Sequence, residues 1–173
     1  MSEISLETKK ELESLYQSFL SNELILKMKE IPMHRGSNCY IHSFKVCKLV
    51  IKKALKSKKE YHYKALITAS ILHDYYLYDW RQHRELRKKH GKRHPLVAEE
   101  NARRDFHIDE EISYIIKTHM WPLTPKLYPK SREAKLVNYA DDVIATREFM
   151  SGSKYKKKRE DRYIEYISTL FDE

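Results

Sequence analysis

The chain has 173 residues, 3 glycines, 5 prolines and 34% charged residues. That length is enough for one domain with a real core, and so few backbone breakers in a Lys/Glu/Leu-bearing chain predict an all-α protein of amphipathic helices. Lys+Arg 34 against Asp+Glu 25 gives a net charge of +9, which attracts nucleotides, phosphates, nucleic acid or acidic lipids without choosing among them. No apolar run approaches the ~18 residues of a membrane span, so no membrane partner is expected. The acidic opening MSEISLETKKELESLYQ does not read as a secretory leader. Cys39 and Cys47, eight apart on one expected helix, are too distant for a disulfide within it. Buried free thiols and a cytoplasmic location are the expectation.

In chain order, residues 5–30 read as a first helix, with Leu12, Leu15, Tyr16, Phe19 and Leu20 at helical spacing and Pro32 beyond its end. Gly36 and Ser37 offer a turn and an N-cap for a long second helix carrying Ile41, Phe44, Val46, Leu49, Val50 and Leu55. Residues 61–74 form a third, more apolar helix ending in His73 and Asp74. The basic stretch 79–93 reads as a connection with at most a short helical turn. Pro95 fits the first turn of a fourth helix that His94 opens, running to about 105. Asp109 caps a fifth helix through His119, and the Pro-rich WPLTPKLYPKS is a loop. A sixth helix runs to about 150, SGSK breaks it, and a last helix covers roughly 155–171. Without repeats or a Gly/Ser linker, residues 1–173 are expected to form one domain, a bundle of about seven helices.

Metal-type side chains recur at helix ends and inner faces: His42 on the second helix, the His73–Asp74 doublet, His94, His119, and Asp141 and Asp142 in the sixth. Asp141 lies beside the face defined by Leu136, Val137, Ala140, Val143 and Ile144, whereas Asp142 points further away. Imidazoles and carboxylates suit Zn, Mn, Fe, Co and Ni without a cysteine ligand. Ligands from separate helices are a normal way to build a site in a bundle. His62, His83 and His107 read as surface residues; His34 and His90 lie in between.

The ordered set His42, His73–Asp74, His94, His119 and Asp141 resembles the HD superfamily of metal-dependent phosphohydrolases. YIHSFKVCKLV is similar to the first-His helix of that family, and ASILHDYYLYDW to its doublet. HGKRHPLVAEENA resembles the segment with the additional His, IIKTHMWPLTPK the His-ended helix before a Pro-rich loop, and LVNYADDVIATRE the closing Asp helix. The likeness spans about residues 34–150, with helices 5–30 and 155–171 expected to pack on that HD-like core. Asp142 departs from the Lys that many relatives carry there.

The resemblance implies that His42, His73, Asp74 and Asp141 hold one divalent transition-metal ion, and that His94 and His119, with Asp74 bridging, allow a second. The implied activity is hydrolysis of a phosphomonoester or phosphodiester in a nucleotide or other small phosphorylated metabolite, with Asp74 as bridge and proton acceptor. Phosphate contacts are expected from Arg81, Arg84, Lys92 and Arg93, between the doublet and His94, and from His34 and Arg35. Asp79 either positions a water or caps a turn. Two other readings stay open: a nuclease or nucleic-acid-binding protein, motivated by KYKKKRED and 13 tyrosines, and a metal-binding regulatory protein without turnover. Oligomeric state is not legible.

Overall fold

The fold is taken from a computed structural model that describes residues 4–33, 37–82, 84–150 and 157–171; among these there are eight α-helices and no β-strand. The first predicted helix is interrupted. α1 (Leu6–Leu20) ends at Ser21, and Asn22 starts α2 (Glu23–Leu26) by accepting from the N–H groups of Leu24 and Ile25; a 3-10 turn, Lys27–Glu30, follows. An asparagine that caps a new helix breaks the old one, although the apolar spacing runs through it.

α3 (Cys39–Lys56) is capped by Asn38, whose side chain accepts from Ile41 N–H at 2.9 Å. This corrects the expected Ser37 cap: the helix begins one residue later, and the Ser37 hydroxyl instead donates to Glu148. α4 (Tyr63–Leu72) is apolar on every side, so it is buried almost all round. It touches α1, α3, α6 and α7, and the helix that follows it in the chain.

That next helix, α5 (Arg84–Phe106), is the largest departure from the sequence reading. The stretch read as a connection is helical from Arg84, and Pro95 sits inside the helix rather than in its first turn. The helix passes the proline because its missing N–H leaves only the Gly91 carbonyl without its usual donor. The exposed side of this segment carries no apolar stripe, so periodicity could not find it.

α6 (Glu110–Thr118), capped by Asp109 at 2.8 Å from Ile112 N–H, and α7 (Arg132–Met150) fall where the sequence placed them. The Pro-rich segment between them is non-helical. α8 (Lys157–Ile167) covers much of the expected last helix; residues 151–156 lie outside the described residues. Both end segments pack on the core: the buried Tyr16 hydroxyl on α1 donates to the Ile167 carbonyl at 2.8 Å, and α8 lies on α3. Cys39 and Cys47 are buried free thiols.

Candidate metal centre

Five helices bring the site together. His42 lies on the first turn of α3, where Asn38 fixes the helix start. His73 is the C-cap of α4, so Asp74 follows immediately where the backbone leaves the helix. His94 comes from the middle of α5, His119 is the C-cap of α6, and Asp141 lies on the inner face of α7. All six side chains are buried, and their ligand-type atoms form three overlapping groups that could hold a metal ion: His42–His73–Asp74, His73–His119–Asp141 and Asp74–His94–His119.

Each imidazole is oriented from its back edge. Nδ1–H of His73 donates to the Ser70 carbonyl at 2.7 Å, that of His94 to the His90 carbonyl at 3.0 Å, and that of His119 to the Ile116 carbonyl at 2.7 Å. Nδ1–H of His42 donates to Glu148 Oε2 at 3.0 Å. A carbonyl or carboxylate at Nδ1 fixes the proton there, so in the neutral rings Nε2 is a bare lone pair. All four Nε2 atoms face inward. Those of His94 and His119 are 2.9 Å apart, and that of His42 lies 2.9 Å from Asp141 Oδ1. His73 Nε2 is buried with no hydrogen-bond partner among the described residues. In the neutral rings this aims acceptors at acceptors in a dry site, an arrangement that a proton or a bound cation relieves. Histidines tied back through Nδ1 are what metal ligation requires of its supporting shell.

Asp74 faces both ends of the cluster. Its Oδ2 is 3.5 Å from His73 Nε2 and 3.9 Å from His42 Nε2. Its Oδ1 is 3.2 Å from His94 Nε2 and 3.8 Å from His119 Nε2. Burial would raise this carboxyl, but the histidines outweigh it and hold Asp74 below the usual carboxylate range. Asp141 is likewise held down against burial, by His42 and His73. Burial pulls His42 down, yet Asp141 and Glu148 more than offset it and set it well above the usual histidine range. His73 is raised for the same kind of reason, burial being outweighed by Asp74 and Asp141. Burial, aided by the charges of His73 and His94, takes His119 down to about 3.

Glu148 belongs to the site and was missed in the sequence. It is buried, and besides His42 it meets Lys45 Nζ at 2.9 Å and the Ser37 hydroxyl at 3.3 Å. Two signals for it exist. Glu148 is seven residues after Asp141, two turns along the same face of α7, and Lys45 is three residues after His42 on α3. Asn138, a further turn back on α7, donates through Nδ2 to the carbonyls of His119 and Trp121, which pins the end of α6. On the α5 side, Trp80 stacks on His90 and His90 on His94, at ring centroids 5.2 Å and 4.6 Å apart. Tyr76 meets His94 edge-on.

Among the described residues, the expected phosphate contacts are not gathered with the candidate ligands. Arg81 is half exposed and is held by Asp79, which accepts from its backbone N–H at 3.0 Å and from its Nε at 3.1 Å; Asp79 therefore caps a turn. Lys92 is exposed and lies two residues before His94, about 200° around α5, so it points away from the centre. Arg84 is exposed, and Arg93 lines a small cleft with Tyr78, Lys89, His90 and Val97. His34, Arg35 and His83 lie outside the described residues. Asp142 is exposed, leaving Asp141 as the inward carboxylate of the pair, while His62 and His107 are on the surface as expected. Among the described residues, no helix is long and apolar enough to cross a membrane. Comparison of the chain with protein-family models, with curated proteins and with solved structures finds no match.

Proposed function

We propose that this chain is a metal-dependent phosphohydrolase of the HD type, cleaving a phosphomonoester or phosphodiester bond in a nucleotide or other small phosphorylated metabolite. One observation carries the reading: four inward-facing histidine Nε2 atoms and two carboxylates converge in one buried centre. The same residues, in the same order, carry the sequence resemblance. His42, His73, Asp74 and Asp141 would hold one divalent ion, and Asp74, His94 and His119 a second, with Asp74 shared. Nitrogen and oxygen donors of this kind suit Mn, Fe, Co, Ni or Zn.

A cation bound there supplies an acidified water and positive charge beside the phosphoryl oxygens. The chain's own contribution is orientation and dryness. The Nδ1 bonds hold the rings fixed, which removes the reorganisation that a flexible ligand set would need. Asp74 is kept ionised by the imidazoles around it, as a carboxylate ligand must be. Burial strengthens each of these interactions by excluding solvent.

The test is release of phosphate or nucleoside from a panel of nucleotides and phosphodiesters, with Mn, Co, Ni or Fe added. Turnover is expected from the wild-type chain and should disappear in His73→Ala and Asp74→Ala. A wild-type protein inert across the whole panel would sink the reading.

A further inference from the structure

A second pocket lies on the Nδ1 side of His42, between α3, α7 and α8, with a volume of about 380 Å³. That is within the range of small-molecule sites, roughly 300–1,000 Å³, and far more room than a bare oxyanion fills. Ile144, Tyr163 and Tyr166 supply apolar wall. Lys45, Arg147 and Arg162 supply positive charge.

Among the described residues the charge of this lining does not cancel. Glu148 is the acid of the lining, and Lys45 and His42 already engage it at 2.9 Å and 3.0 Å. Arg147 and Arg162 have no ion-pair or hydrogen-bond partner among the described residues. Two guanidiniums at the mouth of an apolar pocket suit an anion with a flat apolar body. A guanidinium fork matches phosphate geometry, and an aryl or nucleobase ring suits aromatic and branched walls.

We propose that this pocket binds a small aromatic monophosphate, a nucleoside or aryl phosphate, with the phosphate on Arg147 and Arg162 and the ring against Ile144 and the tyrosines. The same pocket reaches the metal centre through a short chain of contacts: Lys45 Nζ to Glu148 Oε1, and Glu148 Oε2 to His42 Nδ1. An anion beside Lys45 competes with Glu148 for that ammonium and so changes the partner that orients His42. Ligand and metal are therefore coupled, and each alters the other's affinity by the same factor; this coupling rests on the metal-centre reading.

The experiment uses the full chain, labelled at isoleucine methyl groups, with chelator present, and follows the Ile144 signal by NMR. AMP and phenyl phosphate should shift it saturably, while inorganic phosphate and adenosine should bind about tenfold more weakly or worse. The double variant Arg147→Gln/Arg162→Gln, altered only at exposed side chains, should weaken AMP about tenfold. An Ile144 signal unmoved by millimolar AMP, or a double variant that binds AMP as tightly as wild type, overturns the site. Inorganic phosphate matching AMP overturns its aromatic half. Titration of Mn with and without AMP reads the coupling: a changed Mn affinity is expected, and an unchanged one overturns the coupling. Failure to bind Mn at all counts against the metal centre, because the Ile144 titration needs no metal.

Discussion

His42 uses its two ring nitrogens in opposite directions, Nε2 toward the centre and Nδ1 toward Glu148. Removing the carboxylate charge but keeping an acceptor isolates that second contact. Glu148→Gln should leave the fold intact and weaken metal binding by about 10- to 100-fold, measured by competition with a chromophoric chelator. Titration supplies a second prediction. In the metal-free protein His42 and His73 have raised pKa values, so their contribution to stability is present below the unfolded value of about 6.5 and is lost as pH rises through the folded values. His119 is lowered to about 3, so its contribution is lost as pH falls below about 6.5. Thermal stability with chelator present should peak near pH 6.5 and decline on both sides. Added metal should stabilise more at higher pH, where it does not compete with protons. The candidate ligands were legible in the sequence through their order and local contexts; one at a time, a histidine or aspartate at a helix end is commonplace, as the Asp109 cap shows. Glu148 was not, because a glutamate near a helix terminus reads as a solvated charge until its neighbour on another helix is known.

Helix boundaries matter because two candidate ligands, His73 and His119, are C-cap residues and a third, His42, sits in a first turn. The cap of α6 is therefore a distant support for the site. Asp109→Ala should destabilise the protein by about 1 kcal/mol. In a chain of this size that is a fall in Tm of about 2–4 °C by calorimetry. α1, α3, α6 and α7 were legible from apolar spacing, α4 from its continuous apolar run, and the Asp109 cap from its chemistry. α5 was legible only in its second half. Its first half is exposed and basic, and Gly91 and Pro95 are the residues that normally end helices. Gly91 has a packing reason to be there: a Cβ would lie 2.6 Å from Leu123 Cδ2 in the Pro-rich loop, so loop and helix meet closely one turn before His94. Tertiary contact, absent from local sequence, decides that segment.

At the scale of the molecule, α4 is the hub: it meets α3, α5, α6 and α7, which carry the other candidate ligands, while α1 packs on α4 and α8 on α3. The Tyr16–Ile167 bond joins α1 to α8 across the whole sequence, and burial, the largest influence, keeps that hydroxyl protonated. Tyr16→Phe leaves a buried carbonyl unpaired and should cost about 1–2 kcal/mol. Amide exchange should quicken in α8 while α4 stays protected. The all-helical architecture was legible from scarce breakers and charge. The way five separate helices aim their candidate ligands at one point was legible only through the ordered motif, since no periodicity encodes it.

The most direct test of the central claim is elemental analysis of the purified 173-residue chain, paired with anomalous scattering at the site. One or two transition-metal ions per chain, lying among His42, His73, Asp74, His94, His119 and Asp141 and lost in Asp74→Ala, is the predicted result. A wild-type protein that carries no metal and takes up none when Mn, Fe, Co, Ni and Zn are each supplied would contradict it.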